Sequence, residues 1–526
     1  MKKKALFGLI AVIVAMVFLF SACAGSGVEL QIPMQKADLI GLWEGTHYLL
    51  NRDDDGYDSE MAIKEDGDGI TIMFSNTGNA GFTIPIDGEI QGNQLILSRD
   101  LEGFTFSGTY TFTDNQKNCL TGEILRIHPD NRVYHWEGEL DKYTSEYSGW
   151  AQDVEYFKGT LPEKHINLFF KVTEQEFNQA CDNLIEIANT VSDAQVFLGL
   201  LEILALVDDA HTNIYGFGIY QSEYYPFDIK KIGREHYVFS ASEGYEEYLG
   251  AKLTSINEHT IEQIRNKTEK IIPAENDVMI AYRTPDYLNS PEALEYCGVV
   301  GDGLVEFILN NNGVDETIET DRLTRNEYTT NRSYLNWTRS IAEKNLDKNF
   351  WYEYLEEDSI LYFQYNRCRD NTEEGLPKFA EVQAEILEIL ETQNPDKLVV
   401  DVRYNSGGSS RYGTNFVNAL KASDYNNDIY VITGNQTFSS GVWITVDLKQ
   451  EMNALIIGEP SSNRPNHYGN VSSFELPNSG LKVSYSNNYW DIYEEVDVLE
   501  PDIPVYRDFE DYVNGVDTVL EHIKAL

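Results

Sequence analysis

The chain has 526 residues, 42% of them hydrophobic and 12% aromatic, enough to bury cores in about three or four domains and too much for a disordered polymer. Its formal net charge is −46, with 86 acidic residues against 40 basic ones and no basic patch, which excludes nucleic acid as an expected partner. The charge favours solubility and names no ligand.

In chain order, Lys2–Lys4 precede an unbroken apolar run, Ala5–Phe20, and small residues then lead to Cys23. The run is short for a membrane-spanning helix and has the charge pattern of a secretory leader. It resembles a bacterial lipoprotein signal, residues 1–23, which implies cleavage before Cys23 and lipid on its thiol; an uncleaved anchor is the alternative. Either way, the rest of the chain is expected outside the cytoplasm, held by lipid at the outer face of the bacterial cytoplasmic membrane. Cys119, Cys181, Cys297 and Cys368 are far apart and show no metal-ligand spacing.

Residues 24–37 form a tether. Residues 38–145 are all-β, with strand-forming runs such as Gly69–Phe74, Gln94–Ser98 and Phe104–Phe112. Turn signals separate them at Asp66–Gly67, Gly92–Asn93 and Asp114–Asn115. The opening Gly41–Gly45, with Trp43, suggests a small lipocalin-like barrel or a sandwich. Residues 146–215 are helical: Thr173/Glu176 and Ser192/Gln195 are capping-box pairs, and Val196–Val207 is nearly all apolar. Residues 216–325 look mostly β. Leu249–Glu258 resembles the central strand of a PDZ domain, and Asn312-Gly313 marks a hairpin. Residues 326–526 alternate strands and helices: strands at Ser359–Tyr365, Leu398–Arg403, Ile429–Thr433 and Ala454–Gly458, and a helix over Thr372–Thr392. The continuous apolar strands predict a parallel sheet buried on both faces.

The most informative stretch is Val431–Gly441. A buried strand breaks at Gly434-Asn435, Thr437–Ser440 follow, and a helix begins near Val442. A serine at such a turn exposes its hydroxyl while the free N–H groups of the first helical turn point at whatever binds there. That is a way to build a nucleophile and half an oxyanion hole; a serine that merely caps the helix is the plain alternative. Upstream, Lys397–Ser410 runs a strand into Asn405-Ser406-Gly407-Gly408, where glycines let the backbone approach a ligand closely. Gly458-Glu459-Pro460 closes the next strand, and His211 follows the buried helix in Asp208–Thr212.

These pieces, with Gly250–His259 and Leu499–Val505, occur in the order found in the C-terminal processing (tail-specific) serine peptidases and their tricorn-type and retinoid-binding-protein-like relatives, and the chain resembles that family over Lys164–Val505. The resemblance implies a multidomain α+β protein with a Clp protease/crotonase-like core and a PDZ-like insert. It places Ser439 on the nucleophile and the N–H groups of Ser440 and Gly408 on the oxyanion hole. It places Arg464 where the processing branch has a lysine base. Arginine stays charged near neutral pH and is no base there, which leaves it to hold a substrate carboxylate or to be a surface charge. The tricorn-like branch, with serine, histidine and glutamate, fits better. Its histidine falls on His211, with His467 as rival base, and its glutamate falls on Glu495 or the adjacent Glu494. The implied function is a serine-type peptidase acting on polypeptides, for which no metal or cofactor is implied. The alternative is a non-catalytic, ligand- or peptide-binding lipoprotein on the same scaffold. Nothing in the sequence sets the oligomeric state.

Overall fold

The computed structural model describes residues 32–49, 57–66, 69–76, 82–101, 104–113, 116–128, 132–143, 145–373 and 375–526. The leader with Cys23, most of the tether, and parts of the turns expected at Asp66–Gly67 and Asp114–Asn115 lie outside the described residues. No described helix is long and apolar enough to cross a membrane. The chain divides into two compact units that meet in sequence at Ser145 and Glu146.

The first unit opens with a short helix, α1 (Lys36–Leu39), and eight antiparallel strands follow: β1 (Gly41–Leu49), β2 (Tyr57–Asp66), β3 (Gly69–Asn76), β4 (Phe82–Gln91), β5 (Gln94–Leu101), β6 (Phe104–Phe112), β7 (Cys119–Ile127) and β8 (Val133–Lys142). β8 pairs back onto β1, so the sheet closes, which resolves the barrel-or-sandwich question in favour of a barrel. Closure removes the sheet edges that a small all-β unit otherwise has to protect. Alternation along the strands fills the interior: in β6, Phe106, Tyr110 and Phe112 are buried. Trp43 donates its indole N–H to the Leu39 carbonyl at 2.8 Å and joins α1 to this core. Gly92, at φ +69°, makes the tight turn between β4 and β5 with Asn93.

The second unit begins with α2 (Gly149–Lys164), α3 (Glu174–Ile187) and α4 (Asp193–Ala205). Both capping boxes are formed, at Thr173/Glu176 and Ser192/Gln195. A two-residue strand, β9 (Asn213–Ile214), then leads to an antiparallel sheet of β10 (Phe227–Ile232), β11 (Glu235–Ala241), β12 (Lys252–Ile256), β13 (Val305–Asn311) and β14 (Val314–Thr320). Asn312 and Gly313, both at positive φ, join the last two as expected of a two-residue hairpin. The region is less purely β than its sequence suggests. Between β12 and β13 lie α5 (Ile261–Thr268), α6 (Asp277–Arg283) and a short helix over Pro291–Tyr296. A capping box at Thr260/Gln263 starts α5, and a Ser290 cap followed by Pro291 starts the short helix.

The last portion is an α/β layer. β15 (Phe350–Leu355) runs antiparallel to β16 (Ile360–Tyr365). Then β17 (Lys397–Asp401), β18 (Asp428–Thr433), β19 (Leu455–Gly458) and β22 (Ile503–Pro504) join in parallel, in that spatial order. Successive side chains go to opposite cores. Leu361, Phe363, Val400 and Val431 pack under α7 (Phe379–Gln393), α8 (Ser410–Lys421) and α9 (Ser440–Met452). Ile360, Tyr362, Val399 and Ile432 pack against Val519, Leu520 and Ile523 of α10 (Thr518–Ala525). Burial on both faces explains the continuous apolar strands. Each such side chain contributes about 1.5–3 kcal/mol over leaving it exposed, so Phe363→Ala is expected to cost about 3–5 kcal/mol. Helix α7 starts at Phe379 rather than Thr372, because Gly375 sits at φ +87° and Pro377 lacks the N–H and disfavours helix in the residue before it. A separate small sheet joins β20 (His467–Glu475), β21 (Lys482–Trp490) and β9. The loops that leave the C-terminal ends of β17, β18 and β19 lie side by side, where open parallel sheets place their ligand crevices.

Candidate active site

The turn after β18 is held by a ladder of small contacts. Gly434 N–H donates to Thr437 Oγ1, whose hydroxyl donates to the Val402 carbonyl, at 3.0 and 2.9 Å. Phe438 N–H donates to the Asn405 carbonyl at 2.9 Å. So pinned, Ser439 adopts φ 51°, ψ −123°, a sparsely populated conformation for a residue with a side chain. It stands at the start of α9, yet its side chain makes no capping hydrogen bond. The plain helix-cap alternative therefore fails, and the hydroxyl is presented at a strained strand-to-helix turn, the setting of a nucleophile elbow.

The glycine loop packs directly against this turn. A Cβ on Gly407 would lie 2.6 Å from Ser439 Cβ, and one on Gly408 would lie 2.4 Å from the Cys368 carbonyl oxygen. Both glycines sit at positive φ, +100° and +130°. A parallel bridge joins this loop to Cys368: Cys368 N–H donates to the Gly407 carbonyl, and Ser409 N–H to the Cys368 carbonyl. That pattern turns the polar groups of Gly408 to the opposite side, where its carbonyl accepts from Ser440 Oγ at 2.7 Å. The N–H groups of Gly408 and Ser440 have no acceptor among the described residues. Two free N–H groups flanking Ser439 are what an oxyanion hole requires.

The histidine comes from the other end of the unit. His211 lies two residues before β9, which pairs with β21; β21 pairs with β20, whose first residue is His467. The two rings stack 5.3 Å apart at 6°, and the other neighbour of His211 is the Phe438 ring at 4.4 Å, one residue from Ser439. Both ring nitrogens of His211 are buried and without a hydrogen-bond partner among the described residues. Its Nδ1 faces two buried carboxylates, Glu275 Oε1 at 3.8 Å and Asp209 Oδ1 at 3.9 Å. Nε2 is left for a hydroxyl or a substrate.

Both carboxylates are fixed by their other atoms. Asp209 Oδ2 receives Thr212 Oγ1 at 2.6 Å, Ser486 Oγ at 2.7 Å and the ring of His165 at 3.0 Å. Burial pushes its pKa up, but these donors and the nearby imidazoles outweigh that and hold it at about 2. Glu275 Oε2 accepts from Arg464 N–H at 3.0 Å and from the Asn463 side-chain amide. Asn463 Oδ1 in turn accepts the N–H of Ser439 at 2.7 Å. A chain of hydrogen bonds thus runs from the backbone of the serine to a carboxylate facing the histidine.

Several sequence expectations change. Glu495 is exposed and receives Asn466 Nδ2 at 3.3 Å; among the described residues, the carboxylates within 4.0 Å of the His211 ring are those of Glu275 and Asp209. Glu494 is exposed as well, because this acidic run follows the end of β21 as a solvated loop. Arg464 is neither a free surface charge nor open to a substrate carboxylate. Its guanidinium is divided between Asp208, at 2.6 Å, and Asp497, at 3.0 Å, and the two anions reinforce its charge against burial. His467 Nδ1 lies 3.1 and 2.9 Å from the carbonyls of Arg464 and Pro465 and so carries a proton for them. Burial, with His211 nearby, holds its pKa below the ordinary value despite Glu275. Sequence reasoning missed Glu275 and Asn463. The faint signal for Glu275 was a single acid directly after the apolar Ile271–Ala274.

Among the described residues, three sets of side chains bring possible metal ligands within 4.8 Å of one another: the buried Asp209, His211 and Glu275, and two on the outside of the barrel, Cys119 with Glu139 and Asp141, and Glu123 with His135 and Glu137. The spacing of cysteines alone did not anticipate such convergence.

No protein-family model matches the chain, and no curated protein matches it by sequence. Among solved structures it is similar to mature CPAF, at 14% identity and a TM-score of 0.48, over 72% of this chain and 96% of that one. It is similar to the photosystem II D1 C-terminal processing protease, at 15% identity and a TM-score of 0.32, over 72% and 97% of the two chains. It is also similar to the tricorn protease, at 12% identity and a TM-score of 0.35, over 91% of this chain and 59% of that one. Both kinds of relative named by the motif resemblance, a C-terminal processing protease and the tricorn protease, are among these neighbours.

Proposed function

We propose that the chain is a serine peptidase of the extracytoplasmic face, anchored by lipid on Cys23 and acting on polypeptides. The observation that carries the catalytic part is the convergence at Ser439: a strained serine with an unused hydroxyl, two free N–H groups beside it, and a buried histidine with an unpaired Nε2 whose ring lies against Phe438, the residue before the serine. Ser439 Oγ attacks the scissile carbonyl carbon while His211 Nε2 takes its proton. The N–H groups of Gly408 and Ser440 hold the resulting oxyanion, and each donor of that kind is worth about 10²–10³ in rate. Glu275 and Asp209 face Nδ1–H, orient the ring and stabilise the imidazolium, a role that sequence reasoning assigned to Glu495. The imidazolium then protonates the leaving amine, and water resolves the acyl-enzyme by the same route. The sheet β10–β14 with its helices takes the part of the PDZ-like insert.

The alternative, a non-catalytic ligand- or peptide-binding lipoprotein, has one observation in its favour: no hydrogen bond joins Ser439 to His211 among the described residues. Such contacts are often long before substrate binds, and two buried carboxylates facing the histidine favour the peptidase. Incubation of the purified chain with an unfolded protein substrate decides between them. A peptidase gives fragments that Ser439→Ala does not; a binder retains the substrate intact in both.

A further inference from the structure

The two carboxylates at His211 each leave one oxygen short of donors and facing the same ring nitrogen. Asp209 Oδ2 is filled by three donors, but its Oδ1 accepts only the His211 N–H, at 2.9 Å. Glu275 Oε2 takes two donors, while Oε1 receives only Ala210 N–H at 3.4 Å. These two emptier oxygens are the ones facing His211 Nδ1. The histidine is 8% exposed and neither ring nitrogen has a partner. All three ligand atoms lie within 4.8 Å of one another.

We infer that Asp209, His211 and Glu275 form an inhibitory site for a divalent transition-metal ion, zinc foremost; the inhibition, though not the binding, rests on the peptidase reading above. One imidazole nitrogen with two carboxylate oxygens is a set that suits zinc, and ligands at 2.0–2.2 Å in a tetrahedron stand about 3.3 Å apart, so small side-chain rotations close the site. Calcium asks for about six to eight oxygens and is not served here. The donors on Oδ2 and Oε2 supply the outer hydrogen bonds that fix ligating carboxylates. A net charge of −46 raises the local concentration of cations.

The consequence follows from the tautomer. In the active form, Nδ1 carries the proton and Nε2 offers its lone pair to Ser439. A metal ion bound at Nδ1 requires the lone pair on that nitrogen, so the proton of the neutral ring moves from Nδ1 to Nε2. No proton is gained or lost overall, but the ring no longer accepts one from Ser439. A triad histidine held in the wrong tautomer loses about 10⁴ in kcat. The ion therefore acts as a reversible lock without touching the serine.

The test uses the full chain, freed of metal by chelation and titrated with Co²⁺, whose visible absorption reports a tetrahedral N/O site. One equivalent giving such bands, competed away by Zn²⁺, lost in His211→Ala and weakened at least about tenfold in Glu275→Gln, is the expected result. Absence of the bands in the wild type, or their persistence in His211→Ala and loss in His135→Ala, overturns the proposal. In parallel, Zn²⁺ is expected to slow fluorophosphonate labelling along the same binding curve, with recovery on chelation; binding without that slowing overturns the lock. A metal-free wild type that never labels refutes the peptidase reading instead, and the Co²⁺ bands still report on the site. Circular dichroism of each variant separates a lost ligand from a lost fold.

Discussion

Asn463 accepts the backbone N–H of Ser439 at 2.7 Å, and its own amide donates to Glu275, so one side chain ties the turn of Ser439 to the carboxylate that faces the histidine. Asn463 is fully buried, and the loop that carries it leaves β19, next to the strand that carries the serine. Serine and histidine come from distant parts of the chain, and this bridge sets their relative position.

The bridge makes Asn463 a positioning residue. Asn463→Leu keeps the approximate volume but leaves the Ser439 N–H unpaired and removes one of the two donors to Glu275 Oε2. Misplacement of reacting groups by about 1 Å costs on the order of 10² in rate. The expected result is a kcat about 10²-fold lower with KM little changed, read from steady-state hydrolysis of a peptide substrate. An unchanged kcat would show that the bridge does no positioning.

Glu275→Gln preserves shape and removes charge. If Glu275 stabilises the imidazolium, kcat falls by about 10²–10⁴, the upper end being what loss of a sole triad carboxylate costs. Asp209 remains, so a value below that upper end is expected. Glu495→Gln, at an exposed site bonded to Asn466, is expected to leave kcat within about twofold. Equal losses in the two variants would restore Glu495 to the triad.

Gly408→Ala sets a Cβ 2.4 Å from the Cys368 carbonyl oxygen at a φ of +130°, and the loop has to move. One oxyanion donor moves with it, which predicts a fall in kcat of about 10²–10³. Because Ser439 itself is untouched, the loss is expected in turnover more than in substrate affinity. A drop confined to KM contradicts the assignment of that N–H.

Stability is expected to fall in mild acid. Burial holds His47 in the barrel at a pKa of about 4; burial, with Lys231 adding to it, does the same for His236 beside α5. In the unfolded chain each titrates near about 6.5. As pH drops the unfolded state binds its proton first, so stability is whole above about pH 7, declines between about 6.5 and 4, and levels off below. The gap is worth up to about 3 kcal/mol for each histidine. Urea unfolding of the wild type, His47→Gln and His236→Gln at pH 7 and pH 4.5 checks this. The variants are expected to lose less over that interval, and parallel losses would contradict it.

What could be read in advance was local. The strand, turn and helix around Ser439, the glycines at the end of β17 and the Asn312-Gly313 hairpin are each written within about a dozen residues, and each formed as expected. The helix expected from Thr372 failed at Gly375 and Pro377, where periodicity outvoted two backbone constraints. Glu275 went unnoticed for a different reason. Glu275 stands 188 residues from Asn463, in a loop between helices that the sequence suggested to be mostly β, and only the folded chain brings it to His211. Glu494 and Glu495 drew attention by their place near Pro501, yet a solvated acidic run is the usual fate of such a segment.

The central claim is that Ser439 is a nucleophile activated by His211, and covalent labelling tests it most directly. Metal-free wild type, treated with a fluorophosphonate and analysed by intact mass and peptide mapping, is expected to carry one adduct on Ser439, with none in Ser439→Ala and much slower labelling in His211→Ala. A wild type that stays unlabelled, or a Ser439→Ala variant that labels equally, would contradict it.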